Sequence, residues 1–164
     1  MPEKKTLERA QKDRREGKSA STQAGEFVRE EIHHVREGKH GARSAKQAIA
    51  IGLSKARRAG VNLPPPKRGT KSEATRRSAT NARKRAGKKV SVRRSRATLN
   101  ALRHEGRSAV SSSSLGRQAH AAASRRSATD RSASAEKAVR TKGARGRSRA
   151  AQKAARTRKR TAKG

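Results

Sequence analysis

The sequence predicts a mostly α-helical protein with extensive disorder. A short N-terminal helical hairpin should precede a long basic tail that is disordered or transiently helical. Apolar content, charge distribution and proline placement carry this expectation. Among 164 residues, 30 are alanine and only 18 are larger apolar side chains. Leu, Ile, Val and Phe make up 17 of them, about half the roughly 20% below which a highly charged chain is expected to be disordered. Burial at about 0.8 kcal/mol per CH₂ cannot offset ordering at roughly 1–2 kcal/mol per residue, so one cooperative core over the whole length is excluded. The net charge of +34 is unevenly spread, with +7 in residues 1–60 and +27 in residues 61–164. The division falls at Leu63-Pro64-Pro65-Pro66, a polyproline II segment that ends any preceding helix.

Four segments follow: a frayed charged helix over 1–18, a helix–loop–helix head over 19–63, a polyproline linker over 64–66, and a basic low-complexity tail over 67–164. In the first, Gly17 is the stop and Leu7 the one large apolar anchor. In the head, Ser21 or Thr22 is the expected cap of a helix reaching about Glu37, with Gly38 behind it. Ala24, Val28, Ile32 and Val35 recur at the spacing of one helical face, flanked by Phe27. Ser44-Ala45-Lys46-Gln47 has the form of a capping box, opening a second helix to Ala59 before Gly60. Its inner stripe includes Ala48, Ile49, Gly52 and Leu53, small enough in places for close helix approach. Phe27, Val28, Ile32, Val35, Ile49 and Leu53 are therefore the expected head-packing residues. Val61 and Leu63 are placed to fold over the open end. A hairpin of about 40 residues is near the size at which domains need outside help, so a homodimer or a protein partner is expected at the head.

The run Lys46-Gln47-Ala48-Ile49-Ala50-Ile51-Gly52-Leu53-Ser54-Lys55-Ala56-Arg57, preceded by Glu26-Phe27-Val28-Arg29-Glu30, resembles a small family of bacterial and phage proteins of unknown function. Members with a long Lys/Arg/Ala tail are often labelled DNA-binding or histone-like. The resemblance implies a helical head more than a mechanism.

Within Glu30-Glu31-Ile32-His33-His34-Val35-Arg36-Glu37, two Glu-x-x-His pairs overlap, the spacing that di-iron bundles use. Such a site needs a second ligand set, and the partner helix offers none. The expectation is a solvated polar face and no metal or other cofactor. Without cysteine there is no thiolate zinc site, disulfide or cysteine nucleophile.

The tail repeats fragments without a strict period: Arg76-Arg77-Ser78-Ala79-Thr80 returns as Arg125-Arg126-Ser127-Ala128-Thr129. Its composition resembles linker-histone tails. Residues 93–105, 117–123 and 133–142 are expected to turn helical once phosphate neutralises them, as is a run from Arg149 to Lys163 capped by Ser148. The residues expected to bind nucleic acid are Arg76, Arg77, Arg83, Lys84, Arg85, Lys88, Lys89, Arg93, Arg94, Arg96, Arg125, Arg126, Arg145, Arg147, Arg149, Arg156, Arg158, Lys159 and Arg160. Arg forks onto phosphate oxygens and Lys adds a mobile point charge. Arg145-Gly146-Arg147 also holds the core of a minor-groove hook, without its usual flanking prolines. With one Phe and no Tyr or Trp, stacking platforms for single strands are missing, which favours duplex DNA over RNA. Sequence-nonspecific, histone-like binding and compaction of DNA is the expected function; RNA or ribosome binding and a protein-docking adaptor are the alternatives. An enzyme is not expected, since no phosphate loop or acid–base constellation is present. A membrane role is not expected either, since no run is long and apolar enough, and the expected location is cytoplasmic, with the nucleoid.

Overall fold

The structure, a computed structural model, describes residues 2–161, with only the backbone of Thr141 and Lys142. Seven α-helices account for most of it: α1 (Lys4–Arg15), α2 (Ala20–Arg36), α3 (Ala45–Arg58), α4 (Glu73–Lys84), α5 (Val92–Arg103), α6 (Ser112–Ser124) and α7 (Ala128–Thr161). A 3₁₀ turn at Ser108–Val110 precedes α6, and no strand occurs among the described residues. The chain divides into two compact units, one ending at Gln118 and the other beginning at Ala119.

The extensive disorder and long disordered tail expected from composition are thereby overturned: the segment after the prolines is helical over most of its length. Two local features account for it. Alanine, arginine and lysine are all good helix formers, so a chain with little to bury still prefers helix locally. Each helix from α2 onward also starts behind a serine whose Oγ accepts the backbone N–H three residues on. The pairs are Ser19–Thr22, Ser44–Gln47, Ser72–Thr75, Ser91–Arg94, Ser111–Ser114 and Ser127–Asp130, at 3.0–3.5 Å. Each cap satisfies one of the four N–H groups that a helix start leaves orphaned. The serines scattered among the arginines thus include the start signals of four helices beyond the prolines. Helix α7 is interrupted at Gly143, whose φ of 62° and ψ of 174° are non-helical. The run expected to reach Lys163 is helical to Thr161; Lys163 itself lies outside the described residues.

In the head, α2 begins behind Ser19, two or three residues earlier than expected. Gly38 and Gly60 end α2 and α3 in the left-handed region, with φ of 78° and 90°. The Ser44–Gln47 box is displaced by one residue on its return limb: Gln47 Oε1 accepts from Arg43 N–H at 2.7 Å rather than from the cap residue. Helix α1 is docked, not frayed, and buries Thr6, Ala10 and Asp13.

Two apolar clusters hold the head. Ala10, Ala24, Phe27, Ala56 and Val61 form one, with Leu7, Ala20, Leu53 and Leu63 against it; Val61 and Leu63 do fold over the open end. Val35, Ala42, Ala48 and Val110 form the other, with Ile32 and Ala109 beside it. Val110 arrives from the basic segment and is fully buried. Its carbonyl accepts from Arg36 Nε and Nη2 at 3.2 and 3.1 Å. The strap Gly41-Ala42 donates to Leu102 O at 2.8 Å and Gly106 O at 3.0 Å, and Gly41 packs so closely that a Cβ there would run into the Glu105 carbonyl.

Of the expected packing residues, Phe27 and Val35 are buried, while Val28, Ile32, Ile49 and Leu53 are half-buried. The inner stripe of α2 is rotated from the apolar one: Ala24, Phe27, Glu31 and Val35 face inward, putting a carboxylate in the middle of the core face.

The α2–α3 contact turns on Gly52. A Cβ there would lie 2.7 Å from Val28 Cα, 2.9 Å from Val28 N and 3.0 Å from Phe27 O. All three are backbone atoms, which cannot rotate away. Gly52→Ala is therefore expected to destabilise the full chain by about 1–3 kcal/mol, the usual cost of overpacking, read as a lower urea midpoint. Ser91→Ala should cost about 1 kcal/mol of cap energy, read as reduced far-UV helicity.

Candidate nucleic-acid interface and the buried charge cluster

Acidic and basic side chains are handled differently along the chain. Seven of the eight head carboxylates lie within 4.0 Å of a cationic nitrogen or a histidine: Glu3, Asp13, Glu16, Glu26, Glu30, Glu31 and Glu37. Beyond the prolines Glu73 pairs with Arg76 at 3.3 Å. Of the nineteen expected nucleic-acid residues, Arg76 is half-buried and the other eighteen are exposed. Arg76 alone among them has a described carboxylate partner.

Three of them, Arg76, Arg77 and Lys84, come together on α4 with Arg85 directly behind it. Ala79 and Ala82 are buried on that helix, and the face beside them, Ala82 included, forms an open groove with the end of α3. A groove of about 530 Å³ is lined by Arg58, Arg77, Asn81 and Arg85, among others. A second, of about 270 Å³, is lined by Arg76, Arg77, Thr80, Asn81 and Lys84. No described carboxylate pairs with Arg58, Arg77 or Arg85, so the groove offers guanidinium donors without internal neutralisation. Arg83 turns away and donates to Asn62 Oδ1 at 2.8 Å. Arg58 was missed from sequence because it belongs to the head; the signal was the pair Arg57-Arg58 in the last turn of α3. The two have different fates. Arg57 is buried and donates to Leu63 O at 3.3 Å and Pro64 O at 3.2 Å, tying down the start of the polyproline segment. Burial lowers its pKa from the ordinary value. Arg58 is exposed.

Lys88, Lys89, Arg93, Arg94 and Arg96 are exposed on and before α5. Of the larger apolar residues on α5, Leu102 is buried, while Val92 and Leu99 are exposed. In the second unit, Arg126 donates to Asp130 O at 3.0 Å and to Ser134 Oγ. Arg147 donates to Val139 O at 3.1 Å, spanning the break at Gly143. Arg145-Gly146-Arg147 is helical, so the extended conformation that a minor-groove hook needs is not the one adopted. Arg149, Lys153, Arg156 and Arg160 recur at i, i+4, i+7 and i+11 along one face of α7.

The second constellation is in the head. The expected solvated face of α2 is only half solvated: His33 and Glu37 are exposed, but Glu30 and Glu31 are buried. Lys55 from α3 lies 3.3 Å from Glu30 Oε1 and 2.7 Å from Glu31 Oε2. The backbone N–H of Glu3 donates to Glu30 Oε2 at 3.0 Å, which fixes the start of α1. His40, carried back by the turn at Gly38, places Nε2 3.3 Å from Glu31 Oε1. His34 Nε2 and Lys39 Nζ bond Glu3 Oε1 at 2.8 and 3.1 Å. Those bonds, His34 first and then Lys39, hold the Glu3 carboxyl down at about 2. Sequence spacing missed Lys55 and His40 because neither lies on α2.

A family of unknown function (DUF6496) matches residues 4–68, the stretch that holds α1–α3 and the prolines. No curated protein and no solved structure matches the chain. The family match carries no activity.

Two outcomes follow from the charge cluster. Lys55→Met strands Glu30 and Glu31 in the interior; loss of one partner of a buried pair costs about 3–5 kcal/mol, so thermal unfolding should shift down sharply. For Glu3, the folded-state pKa lies below the ordinary 4.5. Its stabilising contribution is then complete above about pH 4.5 and disappears as pH falls through about 2. A carboxyl-detected NMR titration should place Glu3 near 2, returning toward 4.5 in the His34→Ala/Lys39→Ala variant.

Proposed function

We propose that the protein is a sequence-nonspecific, histone-like DNA-binding protein that neutralises and compacts duplex DNA through cations carried on α4–α7. The observation that carries this reading is the exposure of eighteen of the nineteen basic positions with no described carboxylate partner. Duplex DNA presents one negative charge per about 1.7 Å of axis. The stripe Arg149–Arg160 offers four cations over about 16 Å of helix, and the α3–α4 groove adds a cluster of guanidinium forks suited to bidentate phosphate contact. Phosphate contacts release condensed counterions and carry no base information, so binding should be salt-sensitive and nearly independent of sequence. The lack of aromatic platforms favours paired over unpaired strands.

The test uses the full chain, because cutting after Pro66 also removes Leu102 and Val110 from their contacts with the head. Mobility shifts on duplex DNA, single-stranded DNA and structured RNA are compared across a salt series. Duplex affinity should fall by about 10³–10⁵ between 50 and 200 mM salt if six to ten phosphates are contacted. Arg58→Ala/Arg77→Ala/Arg85→Ala should weaken binding equally on unrelated duplexes and reduce the salt slope by about one for each phosphate that is no longer neutralised. Tighter binding to structured RNA at matched salt, or a slope near zero, would overturn the DNA reading.

A further inference from the structure

We infer that Glu31, His34 and His40 form a binding site for a divalent transition metal of the zinc type. Glu31 and His34 stand three residues apart on α2 and share a face, and His40 is returned to that face by the left-handed turn at Gly38. One ligating atom from each residue lies within 4.8 Å of the other two. Side-chain rotation closes such separations onto a common ion.

The surroundings of Glu31 suit a cation. Its side chain is fully buried, yet neither carboxylate oxygen makes a hydrogen bond. Lys55 is close enough to Oε2 to pair with it but not aligned as a hydrogen-bond donor. On the other side stands His40, itself buried, whose Nδ1–H donates to the Gly41 carbonyl at 3.0 Å. With Nδ1 engaged by that carbonyl, Nε2 is the ring nitrogen left to face Glu31. Nε2 of His40 and Oε1 of Glu31 then face each other at 3.3 Å, a spacing that a shared cation can bridge. Ligand atoms about 2.0–2.2 Å from a tetrahedral metal are themselves separated by about 3.3–3.6 Å.

Charge and supporting contacts agree with a metal. Glu30 and Glu31 are both buried, and the Lys55 ammonium supplies one positive charge against two negative ones. The excess of negative charge that remains favours a cation beside Glu31. Each ring is also oriented from behind, His40 by the Gly41 carbonyl and His34 by Glu3 Oε1, the outer contacts that metal-ligating histidines ordinarily have. Two imidazoles and a carboxylate suit zinc and its neighbours in the first transition row, not calcium or magnesium.

The probe is zinc chloride alone, titrated calorimetrically into full-length protein freed of metal with a chelator and of nucleic acid with high salt. One zinc per chain is expected, with Co²⁺ giving the visible spectrum of a tetrahedral site. The ring signals of His34 and His40 should shift in NMR while those of His33, His104 and His120 stay in place. His40→Gln should abolish binding, His33→Gln should preserve it, and Glu3→Gln should weaken it by about 10–100-fold. If His40→Gln fails to fold by circular dichroism, the cobalt spectrum and ring shifts of the unaltered chain decide. Absence of stoichiometric binding, an octahedral cobalt spectrum, or shifts spread over all five histidines would overturn the assignment.

Discussion

The close crossing of α2 and α3 at Gly52 is the constraint from which the rest of the head follows. With no side chain at that position, the α3 backbone settles against Phe27 and Val28. Ala56 then joins Ala24 and Phe27 in one cluster, while Ala48 joins Val35 in the other, so the helices run antiparallel with small residues at each contact. Side chains on a helix lean toward its N-terminus. Lys55, one turn beyond Gly52, thereby reaches back to Glu30 and Glu31. A bulkier residue at position 52 would separate the helices and withdraw the ammonium from two buried carboxylates. Packing and electrostatics are thus set by the same contact.

This crossing also sorts the charge of the molecule. The head engages nearly all of its own carboxylates: Glu30 and Glu31 with Lys55, Asp13 and Glu16 with Lys18, Glu3 with His34 and Lys39. Those acids are not available to neutralise the arginines that follow the prolines. The boundary is not a clean cut, however. Leu102 and Val110 come from the basic part of the chain, and they meet the head through the Gly41-Ala42 strap and the Arg36 fork onto the Val110 carbonyl. A head too small to close its own core has its second cluster completed by Val110, with Ala109 beside it, from well beyond the linker.

Much of the head was legible because its signals are local. Gly38 and Gly60 end helices where a left-handed residue was needed, Ser44 caps α3, and Val61 with Leu63 covers the open end. Composition misled beyond the prolines because it asks what can be buried, whereas a run such as Ser72–Lys84 needs only a capping hydroxyl and alanines to be helical and two of those alanines to dock. The metal-type cluster was half legible. Glu31 and His34 carry the helical spacing, but His40 enters through a loop reversal, and periodicity cannot register a ligand that is brought in by a turn. Glu31 was hidden for a further reason. A carboxylate on the apolar face breaks the pattern used to find that face, and its burial makes sense only once Lys55 is known to arrive from another helix.

The helical state of the basic region changes how its charge acts. An unstructured chain of the same composition would spread its cations and adapt them one at a time, losing conformational freedom at each contact. On α7 the face bearing Arg149, Lys153, Arg156 and Arg160 is already ordered, so backbone entropy there has been spent before any phosphate arrives. Repulsion among those cations opposes the helix, and beyond the break at Gly143 alanine propensity must hold this part of α7 against it. Neutralisation by phosphate removes that opposition without requiring a new fold. Binding and helix stability are therefore linked with one sign: whatever anion the surface accepts reinforces the helices that present it.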